Sequence, residues 1–316
     1  MAPKSALITG CSAGGIGSAL VESFQKKGFH VFATARNTSK MAPLAALDNV
    51  TLLQLDVTSR ESVEHAVGVV EKQTGGTLDV LVNNSGAAYG VPVLDGDLQT
   101  TRDMFEVNFF GTVLPTQLFA PLVIAAKGSI VNICSTAAHA HPPWMGESLS
   151  LSRSLPPSPY LSLYLSLPCH SRRFVHLSAR ANSDAPVLGM YSASKAAQEI
   201  FSETLRLEMK TFGVKVLSVV TGGVETNVAA NSAKFEPREG SFYVATDKEL
   251  TRQSEGKTGF PGMPAPIFAD KIVADVLRGA TGRVWRGKMA SIVWFMTVWF
   301  PEWLLVSAPL GHGGSG

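Results

Sequence analysis

Between residues 6 and 220, short apolar runs alternate with stretches whose apolar residues recur at helical spacing. The runs at 6–9, 30–35, 50–55, 79–82, 129–134 and 215–220 are mostly apolar at consecutive positions, as strands buried on both faces of a parallel sheet are. Helix punctuation fits the intervals. Gly28 and Gly213 stand where C-caps belong, and Thr58-Ser-Arg-Glu61 has the spacing of a capping box. Repeated strand–helix units predict an α/β fold with a doubly wound parallel sheet, right-handed crossovers and helices on both faces.

Composition narrows the function classes. The 316 residues are 45% hydrophobic, enough for a sizeable core, and the net charge of +2 with no block of like charges argues against a nucleic-acid partner. Cys11, Cys134 and Cys169 are odd in number and lack metal-ligand or disulfide spacing. His139 and His141 have no third ligand nearby in sequence, so no metal is expected. The first strand starts too early for a secretory signal to precede it, and a cytosolic or cytosol-facing protein is the expectation.

The chemistry concentrates at Tyr191-Ser-Ala-Ser-Lys195, read as the opening of a helix to about Phe212. Positions i and i+4 share a helix face, and a neighbouring ammonium favours the phenolate, which would make Tyr191 usable as an acid or base near neutrality. A glycine-rich turn, Thr9-Gly-Cys-Ser-Ala-Gly-Gly-Ile-Gly17, joins the first strand to the first helix. Such a turn lets backbone approach a pyrophosphate at a helix N-terminus. The second strand ends at Arg36 rather than at a carboxylate, which suits the 2′-phosphate of NADPH.

Taken in order, the glycine turn, Asp56, Asn83-Asn-Ser-Gly86, Asn108, Ser135 and Tyr191-x-x-x-Lys195 resemble the short-chain dehydrogenase/reductase family over about residues 4–228. The resemblance implies a single Rossmann-type domain, placed at 4–282. It implies Tyr191 as proton donor, Ser135 as a second donor to the same oxygen, Lys195 holding the nicotinamide ribose and lowering the Tyr191 pKa, and Asn108 supporting Lys195 through water. It also assigns NADPH contacts to Gly10, Ser12, Gly15, Ile16, Gly17, Arg36, Asp56, Asn83, Lys195, Val224 and Thr226. The glycine turn is one residue longer than is usual there, which blurs the role of each glycine. Asn-Asn-Ser-Gly and Thr221-Gly replace the usual Asn-Asn-Ala-Gly and Pro-Gly.

One block interrupts the pattern. Ser135 and Tyr191 lie 56 positions apart where thirteen is usual, and lifting out the 43 residues 147–189 restores thirteen. The block is rich in Ser, Leu and Pro with no helical period, so it reads as an unstructured insert within the fold. A retained in-frame intron, a genuine disordered loop and a lid are three accounts of it. The chain ends can stay close across such an excursion at modest entropic cost.

Beyond the sheet, residues 227–263 are polar and glycine-rich, the kind of segment that forms a flap over substrate in the family. Residues 265–278 are helical in period. An apolar tail, 283–316, opens with Arg283, Arg286 and Lys288 and continues through Trp294, Trp299 and Trp303, interrupted at Pro301-Glu302. Basic residues ahead of a Trp-rich stretch suit attachment to a membrane or lipid-droplet surface. With Thr221-Gly-Gly-Val-Glu-Thr226, this tail resembles a narrower group, the fungal NADPH-dependent 1-acyldihydroxyacetone-phosphate reductases. That likeness implies reduction of a 1-acyl-dihydroxyacetone phosphate in phospholipid synthesis, at the cytosolic face of the endoplasmic reticulum or a lipid droplet. A hydroxysteroid or retinoid reductase, and a silent NADPH-binding protein whose insert parts Ser135 from Tyr191, are the competing readings. Assembly as a homo-oligomer is left open.

Overall fold

The computed structural model describes residues 3–139, 188–227, 239–242 and 262–300. Strands β1 (Ser5–Ile8), β2 (His30–Ala35), β3 (Val50–Gln54), β4 (Val80–Asn83), β5 (Ser129–Ile133) and β6 (Lys215–Thr221) follow the predicted runs to within one or two residues. A small pair, β7 (Val224–Glu225) and β8 (Met263–Pro264), precedes β9 (Gly282–Arg286). Seven strands form one sheet in the order β3-β2-β1-β4-β5-β6-β9, every neighbouring pair parallel. Successive side chains of a strand point to opposite faces, and the core divides accordingly. Ala6, Ile8, Val31 and Ala33 face α1 (Ile16–Lys26) and, through Phe268 and Ile272, a later helix. Leu7, Phe32, Leu81 and Ile130 face α2 (Arg60–Thr74), α4 (Gly111–Ala125) and α5 (Gly189–Met209). Each fully buried Phe or Leu contributes about 1.5–3 kcal/mol. The other α-helices among the described residues are α3 (Leu98–Phe105), α6 (Ala265–Leu277) and α7 (Ala290–Trp299).

Strand order reverses between β1 and β4, so the crevice beyond their carboxyl ends is where such a sheet binds ligands. The glycine turn after β1, Arg36 after β2, Asp56 after β3, Asn84 to Gly86 after β4, Ser135 after β5 and Val224 after β6 all lie at that edge.

Several expectations need correction. The N-cap of α2 is Ser59, whose Oγ accepts from Ser62 N at 3.2 Å, because Asp56 Oδ1 already takes the N–H and hydroxyl of Thr58. Helix α5 begins at Gly189, so the last residue assigned to the inserted block is helical; residues 140–187 lie outside the described residues. A domain boundary at 282/283 would cut a strand. Arg283 to Arg286 pair with Ser218 to Thr221, and Arg286 is locked by two hydrogen bonds of 2.8 Å to the buried carboxylate of Asp275. The apolar tail therefore starts at α7, whose ten residues rise about 15 Å, half of a hydrocarbon core. Among the described residues, the stretch apolar and long enough to cross a membrane is Leu98–Ala125, nearly half buried against the sheet and carrying Asn108. In the polar 227–263 segment, Ser241 Oγ donates to Asp95 at 2.5 Å, near the loop after β4; most of that expected flap lies outside the described residues.

Candidate active site

The cofactor side is made of backbone. Gly10 and Gly14 adopt φ of 73° and 74°, the left-handed region, where a side chain would be strained. Gly17 is needed for proximity: a Cβ there would lie 2.4 Å from the Gly10 carbonyl oxygen. Gly15 caps α1 without a side-chain hydrogen bond, and no acidic residue occupies the first turn, so the N–H groups from Ile16 onward face the crevice with the positive end of the helix dipole. Within the turn the Ser12 carbonyl accepts from Gly15 N and Ala13 N donates to the Lys40 carbonyl. Asn227 N returns to the Gly14 carbonyl at 3.4 Å, which brings Val224 and Thr226 beside the turn.

Arg36 is exposed past the end of β2 and makes no side-chain hydrogen bond or ion pair among the described residues. Asp56 uses Oδ1 on Thr58 and leaves Oδ2 free. These features fit a dinucleotide: an uncapped helix end and a glycine cradle for its phosphates, a guanidinium for a 2′-phosphate and a carboxylate oxygen for an adenine. Asn83 does not fit its assigned role. Its side chain is buried away from the crevice, donating to Thr116 Oγ1 (3.0 Å) and Asn132 Oδ1 (2.8 Å). Asn84 does the stitching at the edge, bonding Thr9 and Gly10.

On the catalytic side the Ser135 hydroxyl lies close enough to the Tyr191 phenol to favour its phenolate, despite the 56 positions between them. The inserted block, the premise of the competing silent-protein reading, leaves the two within reach of each other. Ser135 Oγ also accepts from Ala137 N (3.1 Å), which fixes it at the start of a 3-10 turn, Thr136–Ala138. Lys195 is 5% exposed, and its Nζ donates to the Ile133 carbonyl (3.0 Å) and Gln198 Oε1 (2.9 Å). Burial pushes its pKa from 10.5 down to about 8.

The expected lowering of the Tyr191 pKa by Lys195 is not what this arrangement gives. Burial raises the phenol above its usual value, with the nearby Ser135 hydroxyl partly offsetting, and the ammonium is turned towards Ile133 and Gln198. Asn108 sits in a π-helical turn, Glu106–Phe110, between α3 and α4, a distortion that recurs at functional sites. Its amide accepts from Ala87 N (2.8 Å) and donates to the Ala87 carbonyl and Ser194 Oγ (2.9 Å each), so its tie to Lys195 runs through the adjacent Ser194. A Cβ on Gly86 would lie 3.5 Å from Asn108 Oδ1 and 3.7 Å from Lys195 Nζ, so the two flank that glycine.

Sequence reasoning missed the support under this site. Asn132 donates to Ser202, Ser202 to the Gln198 carbonyl and Gln198 to Thr112, all buried. The signal was there: Ser194, Gln198 and Ser202 form a polar stripe at helical spacing, and Asn132 interrupts an apolar strand. Cys11 and Cys134 are buried thiols with pKa raised by burial to about 12 and about 11, so neither is a nucleophile. His139 pairs with Glu199, and among the described residues no cluster could hold a metal; His141 lies outside them.

Comparison with known proteins agrees with the geometry. The family model described as short chain dehydrogenase matches residues 4–147 and 175–237, leaving 148–174, inside the inserted block, unmatched. The Short-chain dehydrogenase PC-15 of Penicillium crustosum is 42% identical over 100% of both chains. The NADPH-dependent 1-acyldihydroxyacetone phosphate reductase of Schizosaccharomyces pombe is 36% identical over 72% of this chain and 62% of its own. Among solved structures, a short-chain dehydrogenase from Streptomyces avermitilis superposes with a TM-score of 0.71 at 26% identity, covering 94% of this chain and 92% of the other.

Proposed function

This chain belongs to the short-chain dehydrogenase family, and from that premise we propose that it reduces a lipophilic ketone to a secondary alcohol with NADPH. It is an oxidoreductase of that family; the direction, cofactor preference and substrate are the proposal. The observation that carries it is the gathering of Ser135, Tyr191 and buried Lys195 at the carboxyl end of β5, where Lys195 bonds the Ile133 carbonyl, at the same sheet edge as the glycine cradle. NADPH, when bound, supplies the hydride. Both hydroxyls can donate to one carbonyl oxygen, where negative charge gathers, and preorganised donors there lower the barrier. Tyr191 is protonated at neutral pH, as a proton donor must be, and Ser135 remains to hold the oxygen while that proton is transferred. Lys195, anchored through Ile133 and Gln198, places a cation next to Gly86 for the cofactor ribose. Arg36 favours NADPH over NADH.

For the substrate we take 1-acyl-dihydroxyacetone phosphate, giving 1-acylglycerol 3-phosphate. Two observations support it: the likeness to the Schizosaccharomyces pombe reductase, and the apolar surface of α7, where Trp294, Phe295 and Trp299 are 43%, 50% and 67% exposed. A helix apolar on most sides beside exposed Lys288 suits the boundary of a bilayer or lipid droplet, and this supports our reading of an enzyme at the cytosolic face of the endoplasmic reticulum or on a droplet. Ile200 and Leu207, exposed on the outer face of α5, support self-association. NADPH oxidation with 1-palmitoyl-dihydroxyacetone phosphate, a steroid ketone and retinal decides the substrate. Turnover restricted to steroid or retinal replaces the acyl-phosphate reading, and cofactor binding without turnover of any of them supports a silent protein. Flotation with phosphatidylcholine–phosphatidylserine vesicles tests α7; the intact chain floats, and Trp294→Ser with Trp299→Ser does not.

A further inference from the structure

Glu199 is a buried carboxylate that the mechanism leaves unused. It is 3% exposed and lies two turns beyond Tyr191 on α5, in the stripe Tyr191, Lys195, Glu199. Burying a charge is costly unless it is paired, and Glu199 is paired twice. Arg283 Nε of β9 reaches Oε1 at 2.7 Å, and His139 Nε2 lies 2.7 and 2.6 Å from Oε1 and Oε2. The His139 ring packs on Trp285, its centroid 4.8 Å away. His139 also closes the turn that Ser135 opens: its N–H donates to the Thr136 carbonyl at 3.0 Å, and Ala138 N donates to the Ser135 carbonyl at 3.1 Å. Three segments far apart in sequence are thus tied at one carboxylate. Two of them, 135–139 and α5, are those that residues 140–187 separate.

We propose that the His139–Glu199–Arg283 interlock positions Ser135 against Tyr191, standing in for the short connection that this chain lacks. The three residues touch neither hydroxyl directly; they are positioning residues acting through the rigid 135–139 turn. The interlock rests on the reading of Ser135 and Tyr191 as the oxygen-binding pair. A displacement of an ångström at such a pair costs up to about 100-fold in rate.

A double-mutant cycle in the full-length chain tests it. His139→Gln is the first variant and Glu199→Gln the second; His139 is partly exposed, so its replacement is the one expected to fold normally. Turnover is read with the ketone that wild type reduces fastest, NADPH binding by fluorescence, and the Ser135–Tyr191 contact by the 13Cζ shift of Tyr191 in tyrosine-labelled protein, assigned with Tyr191→Phe. The expected result is a kcat reduced about 10- to 100-fold with the NADPH Kd within twofold of wild type, and a shifted Tyr191 resonance. In a Ser135→Ala background the same substitution should cost less than twofold in kcat and leave the Tyr191 shift where Ser135→Ala alone puts it. Additive losses, an equal loss of NADPH binding, or an unmoved Tyr191 resonance would each overturn the interlock while leaving the catalytic pair intact. Full turnover in Ser135→Ala itself is a separate result and would overturn both.

Discussion

The two halves of the crevice are built in different ways. Most of its cofactor side is written in one continuous stretch, residues 9–36, in which strand, turn and helix follow each other and glycine conformations shape the cradle, with Asp56 and 224–227 added at its rim. The catalytic side is assembled from 84–87, 108, 135–139, 191–199 and 283–285, held by side chains that meet across long separations. A local cradle depends on each backbone position separately. A distributed site depends on every tie at once, so the two should fail differently when perturbed.

The largest effect is expected at the distributed side. Tyr191→Phe removes the proton donor and should lower kcat about 100- to 10,000-fold, while fluorescence titration gives an unchanged NADPH Kd. Loss of binding in step with loss of rate would mean that the halves are one structural unit. The converse experiment strikes the cradle. Gly17→Val places carbon where the Gly10 carbonyl oxygen and the Asn84 amide already lie, 2.4 and 2.7 Å from the new Cβ. Neither can yield freely, since Asn84 is bonded to Thr9 and Gly10. A stability loss of about 1–3 kcal/mol in urea unfolding is expected, with NADPH binding weakened more than tenfold. A smaller change follows Arg36→Leu: the preference for NADPH over NADH should fall by about tenfold or more, the worth of a charged hydrogen bond, with kcat under saturating NADPH unaltered.

This division also explains what could be read from the chain. Strands apolar at consecutive positions and a glycine turn between strand and helix are local patterns, so the sheet and the cradle are legible. Tyr191 and Lys195 are legible as a pair because one helix carries both. Asn83 misleads: a polar residue at the end of a strand looks like a crevice residue, yet strand alternation turns it inward to Thr116 and Asn132. Arg283 misleads in the other direction, since a basic residue before an apolar run reads as the edge of a tail, whereas its strand is the seventh of the sheet. The partners of Glu199 lie 60 positions before it and 84 after it, and no periodicity links positions so far apart.

The mildest and most diagnostic prediction concerns which group titrates first. Lys195 has its pKa pushed down by burial to about 8, while that of Tyr191 is pushed up, so on raising the pH the ammonium loses its proton before the phenol does. The kcat/KM for NADPH reports the free enzyme and should fall along an alkaline limb near pH 8. Lys195→Arg, whose guanidinium stays charged, should move that limb up by more than one pH unit even where overall activity drops. Stability follows the same proton with the opposite sense. Between about pH 8 and the unfolded value near 10.5 the unfolded chain holds a proton at Lys195 that the native chain has released, so this residue makes native stability rise with pH in that window. Comparing urea midpoints at pH 7.5 and 9.5 in wild type and Lys195→Met isolates the contribution, which the methionine variant should lack. A limb that stays put in Lys195→Arg but disappears in Tyr191→Phe would instead assign the titration to the phenol, and the catalytic side would then owe its proton chemistry to the local Tyr–Lys pair rather than to the distant contacts that turn Lys195 away.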